Sequence, residues 1–124
     1  MKAGFNGARL HEKVFEDRFH YWADKLGYIT WAEFPNWGMN ENAKASETYF
    51  LREWPRIVNY LKNHPSIITW TPFNETNTLE CNAQHKKLMR IAYDVTKKID
   101  PTRPVNETSG YQHQKTDIWT VHNY

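Results

Sequence analysis

Cross-linking residues are scarce in this sequence. There is one cysteine, Cys81, which excludes an internal disulfide and CxxC metal chemistry. The histidines show no pair at metal-ligand spacing with a third ligand nearby, so no metal is expected. Neither sign of charge dominates: 16 Lys and Arg stand against 14 Asp and Glu, a formal net charge of +2. That surplus is too small to point to nucleic acid. The short pairs Lys86-Lys87 and Lys97-Lys98 read as solvated helix faces. No apolar run approaches the length of a membrane span, and the opening "MKAGFNGARLH" lacks the apolar segment of a signal peptide. It reads instead as the start of a strand, so the chain is expected to begin inside a larger fold. No Gly-rich phosphate loop follows that strand, which removes a small flavodoxin-like domain from consideration.

What the sequence does have is apolar and aromatic periodicity. Hydrophobic residues make up 40% of its 124 positions and aromatics 15%, a composition that folds as one domain over residues 1–124. Residues 4–11 read as a short strand. Phe15, Phe19, Trp22 and Leu26 then recur at helical spacing, and Gly27 follows as a C-terminal cap. Residues 28–34, "YITWAEF", are short and rich in β-branched and aromatic types, as a strand requires. Ser46 reads as the cap of a second helix with Phe50, Trp54, Ile57, Val58 and Leu61 on one side. Pro55 inside it predicts a kink or a fresh start. After the turn "NHPS", residues 67–73 form a third strand. Leu88, Ile91, Ala92, Val95 and Ile99 stripe a third helix closed by "DPTRP". Residues 105–109 and 117–124 are weaker strand candidates. This β-α-β-α-β-α-β-β order predicts α/β architecture with parallel strands and right-handed crossovers.

The third strand poses a specific question. "ITWTPFNET" ends in Asn74-Glu75, an amide and a carboxylate from which an apolar strand gains nothing. In parallel α/β folds ligands bind beyond the carboxyl ends of strands. The other strand ends are also polar: Arg9 and His11, Glu33, Glu107, then His122 and Tyr124. If each strand stays regular, Ile67, Thr69, Thr71, Phe73 and Glu75 share one face. Acids, a cation and hydrogen-bond donors at one sheet end suit a polyhydroxylated substrate.

Each of these residues has a plainer reading. Glu33 also fits a helix N-cap or a buried partner of Arg9. Glu107 fits solvent as well as a site. Trp31, Trp70 and Trp119 read as core, and His20, His64, His85 and His113 as surface residues of helices and turns.

"GFNGARLHEKVFEDRFHYWADKLGYITWAEFPNWG", "NHPSIITWTPFNET", "DPTRPVNETSG" and "TDIWTVHNY" together resemble glycoside hydrolase family 2, which includes β-galactosidases, β-glucuronidases and β-mannosidases. The motifs run in the family's order over essentially the whole chain. The resemblance implies a partial (β/α)8 TIM barrel, about strands two to six with their helices, and retaining hydrolysis of β-glycosides without a cofactor. It assigns Glu75 as general acid/base and Asn74 as the hydrogen-bonding partner of the sugar 2-hydroxyl. Arg9 matches an arginine that orients the nucleophile, and Tyr124 a strand-six tyrosine doing the same. His11, Glu33, Trp37 and His122 fall where family members line the sugar pocket. Trp70 and Phe73 are expected to give Glu75 the partly apolar setting that raises a carboxyl pKa.

The family nucleophile is a glutamate on strand seven, which this chain does not match. The expectation is therefore a catalytic segment that is inactive alone. The alternative is a non-hydrolytic sugar-binding or self-assembling partial barrel. An inner sheet face carrying Ile29, Trp31, Ile67, Thr69 and Val105 predicts either a homo-oligomer or a larger chain.

Overall fold

The computed structural model describes residues 2–76 and 81–124. The chain runs β1 (Gly7–Leu10), α1 (Asp17–Leu26), β2 (Ile29–Glu33), α2 (Lys44–Leu61), β3 (Ile67–Thr71), β4 (Phe73–Asn74), α3 (Ala83–Ile99) and β5 (Thr108–Ser109). β1, β2 and β3 pair in parallel in that spatial order, and β4 pairs in parallel with β5. A bridge between Trp70 and Val105 joins the two sets. Parallel neighbours need long crossovers, and α1, α2 and α3 supply them.

The helices follow local chemistry. Gly27 takes the left-handed conformation (φ 65°) and its N–H closes α1 on Ala23 and Asp24, as expected of a C-terminal glycine. Asn82 caps α3 by accepting the His85 N–H at 3.0 Å. α2 starts earlier than the Ser46 cap predicted. Its cap is Ala43, and Ser46 lies buried in the first turn. The helix also runs through Pro55 with no fresh start. Proline forfeits one intrahelical bond there, while Trp54 and Val58 on either side are fully buried.

The core lies between the sheet and α2 and α3. Phe34, Phe50, Trp54, Trp70 and Phe73 interlock there, with Phe34 edge-on to Phe50 at 5.2 Å and Trp54 edge-on to Trp70 at 5.9 Å. Both indoles are satisfied: Trp54 donates to Thr96 Oγ1 at 2.7 Å and Trp70 to Asp100 Oδ2 at 2.8 Å, as buried N–H groups require.

Several expectations fail for identifiable reasons. The pairing of β2 with β3 skips Ile68, a bulge, which reverses the alternation. Ile67 therefore joins the core cluster while Ile68 is exposed. A second break at Pro72 separates β3 from β4, and Phe73 too enters the core. Val105 is also core, so the expected inner face keeps only Ile29, Trp31 and Thr69, of which Thr69 is buried. In α1 the buried residues are His20 and Ala23, while Trp22 and Leu26 are exposed. His85 and His113 are buried like His20 rather than on the surface. Residues 117–124 form no strand. Their backbone is held piecemeal instead, Asp117 N–H on Val105 O at 2.8 Å and Thr120 N–H on His113 Nε2 at 3.1 Å. Trp119, expected in the core, is 70% exposed on that segment.

Candidate active site

Parallel pairing brings the carboxyl ends of β1, β2 and β4 to one rim. Arg9 is the third residue of β1, Glu33 the last of β2 and Asn74 the last of β4. Arg9 Nε donates to Glu33 Oε1, and Arg9 Nη2 to Glu33 Oε2 at 3.3 Å and to Asn74 Oδ1. Glu33 Oε2 also accepts the Glu12 N–H at 2.7 Å. With its side chain 1% exposed, Glu33 is a buried partner of Arg9 and not a helix cap. His11 sits beside this knot, its Nδ1 3.3 Å from Arg9 Nη2 and 3.6 Å from Glu33 Oε2. Asn74 is held from its other side as well, its N–H donating to Asn36 Oδ1 at 3.0 Å.

Glu75 follows with φ 51°, a left-handed conformation that few non-glycine residues adopt. Its N–H donates to Ser109 O at 2.7 Å, tying it to the end of β5. This turn swings its carboxylate toward the C-terminal segment. There Oε1 accepts from the Tyr124 hydroxyl and lies 2.7 Å from His122 Nδ1. Those bonds, Tyr124 first and His122 next, hold the Glu75 carboxyl below the usual range despite partial burial. The same contact pushes the Tyr124 hydroxyl up. The expected apolar setting is absent, because Trp70 and Phe73 point into the core. Glu75 is ionised at neutral pH in this arrangement.

Arg9, Val121, His122, Asn123 and Tyr124 line a recess of about 350 Å³. A cleft of about 380 Å³ runs along Asn74 and Glu75, with Asn36, Trp37, Glu41 and His85 in its wall. Trp37 is 80% exposed there, while its N–H donates to Glu12 Oε2 at 2.8 Å.

The strand-end candidates other than Glu107 thus lie around this rim, in two knots joined by the Asn74-Glu75 peptide. Glu107 does not join them. It is fully buried, 3.0 Å from His113 Nδ1, and accepts the Lys115 N–H at 3.2 Å. Its clamp on residues 113–115 is structural. Reading by strand ends missed Glu12, which burial pushes up in pKa, and Ser109 and Gly110, which hold His122. Gly110 carried a signal, since a glycine directly after a strand marks a special conformation or close approach. Glu12 carried none.

The sequence profile of the family described as "Glycosyl hydrolases family 2, TIM barrel domain" matches residues 11–124. A β-galactosidase of Psychromonas ingrahamii is 35% identical over 99 residues, 79% of this chain and 9% of that protein. A β-glucuronidase of Sus scrofa is 25% identical over 98% of this chain and 20% of its own length. Among solved structures, a β-glucuronidase of an uncultured Clostridium sp. superposes with a TM-score of 0.72 at 20% identity, covering 84% of this chain and 19% of that one. A β-glucuronidase of Bacteroides uniformis gives 0.68 at 26% identity over 81% of this chain and 13% of that one. The chain spans a fifth or less of the length of these relatives. Its parallel strands and covering helices are part of a TIM barrel, and the chain belongs to the glycosyl hydrolase family 2 TIM barrel domain.

Proposed function

We propose that this segment supplies the acid/base side of a retaining β-glycosidase site. The observation that carries the reading is the placement of Glu75. Its carboxylate stands at the strand-end rim on a left-handed turn, beside an asparagine tethered to half-buried Arg9, itself paired with buried Glu33. In the first step protonated Glu75 gives its proton to the glycosidic oxygen as the C1–O bond breaks, while a second carboxylate attacks C1. In the second step the Glu75 carboxylate takes a proton from water as that water displaces the enzyme carboxylate. Asn74 donates toward the sugar 2-hydroxyl. Arg9, His11, Glu33, Trp37, His122 and Tyr124 shape the pocket, with the exposed Trp37 ring offering an apolar face to a sugar.

The lowered pKa of Glu75 fits this scheme only with a second carboxylate present. Retaining enzymes place it about 5–5.5 Å away, and a like charge at that range raises a carboxyl pKa. The nucleophile would thereby make Glu75 an acid. It would also compete for Tyr124, the residue that resemblance assigns to nucleophile orientation and that here binds Glu75. The substrate is a β-glycoside, and relatives named for both galactoside and glucuronide make those the first substrates to assay.

Glu75→Gln in a complete barrel tests the reading. Hydrolysis of glycosides with poor leaving groups should fall by roughly 10²–10⁴-fold. Activated aryl glycosides should lose less in the first step, and azide should rescue the second. Equal losses on both substrate kinds, with no azide rescue, would remove Glu75 from the role.

A further inference from the structure

His122 is gripped from three sides. Its Nδ1 lies 2.7 Å from Glu75 Oε1 and its Nε2 lies 2.9 Å from Ser109 Oγ. Its ring lies against the α-carbon of Gly110, where an added Cβ would stand 2.8 Å from His122 Cγ and 3.0 Å from Nδ1. Gly110 also has φ 84°, so both its conformation and the space beside it favour glycine. Ser109 ends β5 and Gly110 follows it, and the Ser109 carbonyl accepts the Glu75 N–H at 2.7 Å. One strand end therefore places both the carboxylate and the imidazole that meets it.

The order hydroxyl, imidazole, carboxylate is also that of acyl-transfer triads. Ser109 is 2% exposed and does not line the recess at Arg9, His122 and Tyr124, so an acyl carbon has no approach to Oγ. The arrangement works in the other direction, from serine toward carboxylate. A carboxylate accepts only, so Nδ1 must carry a hydrogen. The serine hydroxyl can then donate to Nε2. Both donors to Glu75, His122 and Tyr124, reach Oε1, and no bond among the described residues goes to Oε2.

We infer that Ser109 and Gly110 are positioning residues for Glu75: they lock His122 as an Nδ1–H donor that, with the Tyr124 hydroxyl, holds Oε1 and leaves Oε2 as the oxygen that exchanges protons. This deepens the glycosidase reading and rests on it for the meaning of the exchange. In that reaction the proton passes from Oε2 to the glycosidic oxygen and returns to Oε2 from water. The groups facing the carboxylate are Tyr124, His122 and, more weakly, His11; those facing Tyr124 include Tyr111 and Arg9.

The grip is testable without substrate. Long-range ¹H–¹⁵N correlation on the ¹⁵N-labelled 124-residue chain at about pH 8, above the usual imidazole range, reads the His122 tautomer. The ¹³C shift of the Glu75 carboxyl reads its titration. Wild type should hold the hydrogen on Nδ1. Ser109→Ala should give mixed tautomers and raise the Glu75 midpoint by roughly half a unit or more, since its donor is no longer fixed. Ser109→Thr keeps the hydroxyl and should restore both signals, which a merely structural role would not require. A wild-type hydrogen on Nε2, or a folded Ser109→Ala chain indistinguishable from wild type, overturns the inference. If the alanine chain fails to fold, the wild-type tautomer alone decides. Glu75→Gln hydrolysis is a separate readout, so the relay and the glycosidase reading can fail independently.

Discussion

Asp100→Asn should destabilise the fold by about 2–3 kcal/mol at neutral pH, and the loss should fade in acid. Asp100 is the C-terminal cap of α3, whose last turn carries Lys97 and Lys98. An anion there opposes the helix dipole, so its value must come from elsewhere. Its Oδ2 accepts the Trp70 indole N–H at 2.8 Å and Arg103 Nη1 at 2.6 Å, while Oδ1 accepts the Thr102 N–H at 3.0 Å. Arg103 in turn donates to the carbonyls of Lys62 at 2.7 Å and His64 at 2.8 Å, and to Ile67 O. This cluster anchors the start of β3, the strand that leads to Asn74 and Glu75. Burial pushes the Asp100 carboxyl up, but the bonds from Thr102, Trp70 and Arg103 outweigh it and bring the pKa from 3.8 to about 2. A fall of roughly two units is worth about 2–3 kcal/mol.

Asparagine keeps the shape but points its amide donor either at Trp70 and Arg103 or at the Thr102 N–H, all of which only donate. Urea unfolding at fixed chain concentration measures the difference. With a slope of about 1–2 kcal/mol per molar for a domain of this size, the midpoint should drop by roughly 1–3 M. The pH sign follows from the depressed folded pKa. The Asp100 contribution is complete above the unfolded value of 3.8 and is lost as pH falls toward about 2. The gap between wild type and variant should therefore narrow between those limits. A gap that persists unchanged at about pH 2.5, or a variant as stable as wild type at neutral pH, would refute the reasoning.

Burial brings His85 down to about 4, and burial followed by the His64 charge lowers His20. Both shifts depress a cationic acid, so their cost is absent above the ordinary imidazole value of 6.5 and grows as pH falls below it; unfolding midpoints should decline from there, His20→Phe should flatten the decline, and an unchanged decline in that variant would contradict the His20 contribution. The 124-residue chain should self-associate, because Phe5, Ile29, Ile68 and Val121 are exposed and β1 lies at a sheet edge. Light scattering across a dilution series reads this, and a monodisperse monomer at micromolar concentration would contradict it.

Much of the architecture was legible because it rests on local pattern. The stripes Phe50-Trp54-Val58-Leu61 and Leu88-Ala92 bury the faces they promised, and the strand ends gathered Arg9, Glu33 and Asn74 at one rim. What failed depends on events with no local signature. A single skipped residue at Ile68 and the break at Pro72 redirect every side chain beyond them. His20, His85 and His113 read as surface because each lies in a predicted helix or turn. Their burial comes from packing between elements, such as the His64 ring 5.1 Å from His20 and the Phe73 ring 6.2 Å from His85, or, for His113, from the turn that folds it onto Glu107.

Glu75 is the most instructive miss. Its apolar neighbours Trp70 and Phe73 suggested a raised pKa, yet the residues that set its charge are His122 and Tyr124, 47 and 49 positions later. The left-handed turn at Glu75 carries its carboxylate away from the strand's apolar face and toward them. Within this segment the result is an ionised carboxylate with two donors on one oxygen, which is the resting state of a base. To act as an acid it must gain a proton near neutral pH, whereas among the described residues Tyr124, His122 and His11 all favour its ionised form. Glu33 and Glu12 face Arg9 and Trp37 instead. On the proposed acid role, Glu75 needs a further carboxylate beside it, and its midpoint should rise when the segment is joined to a complete barrel. A Glu75 titration that is identical in the segment and in a hydrolytically competent barrel would show that proton donation comes from another group.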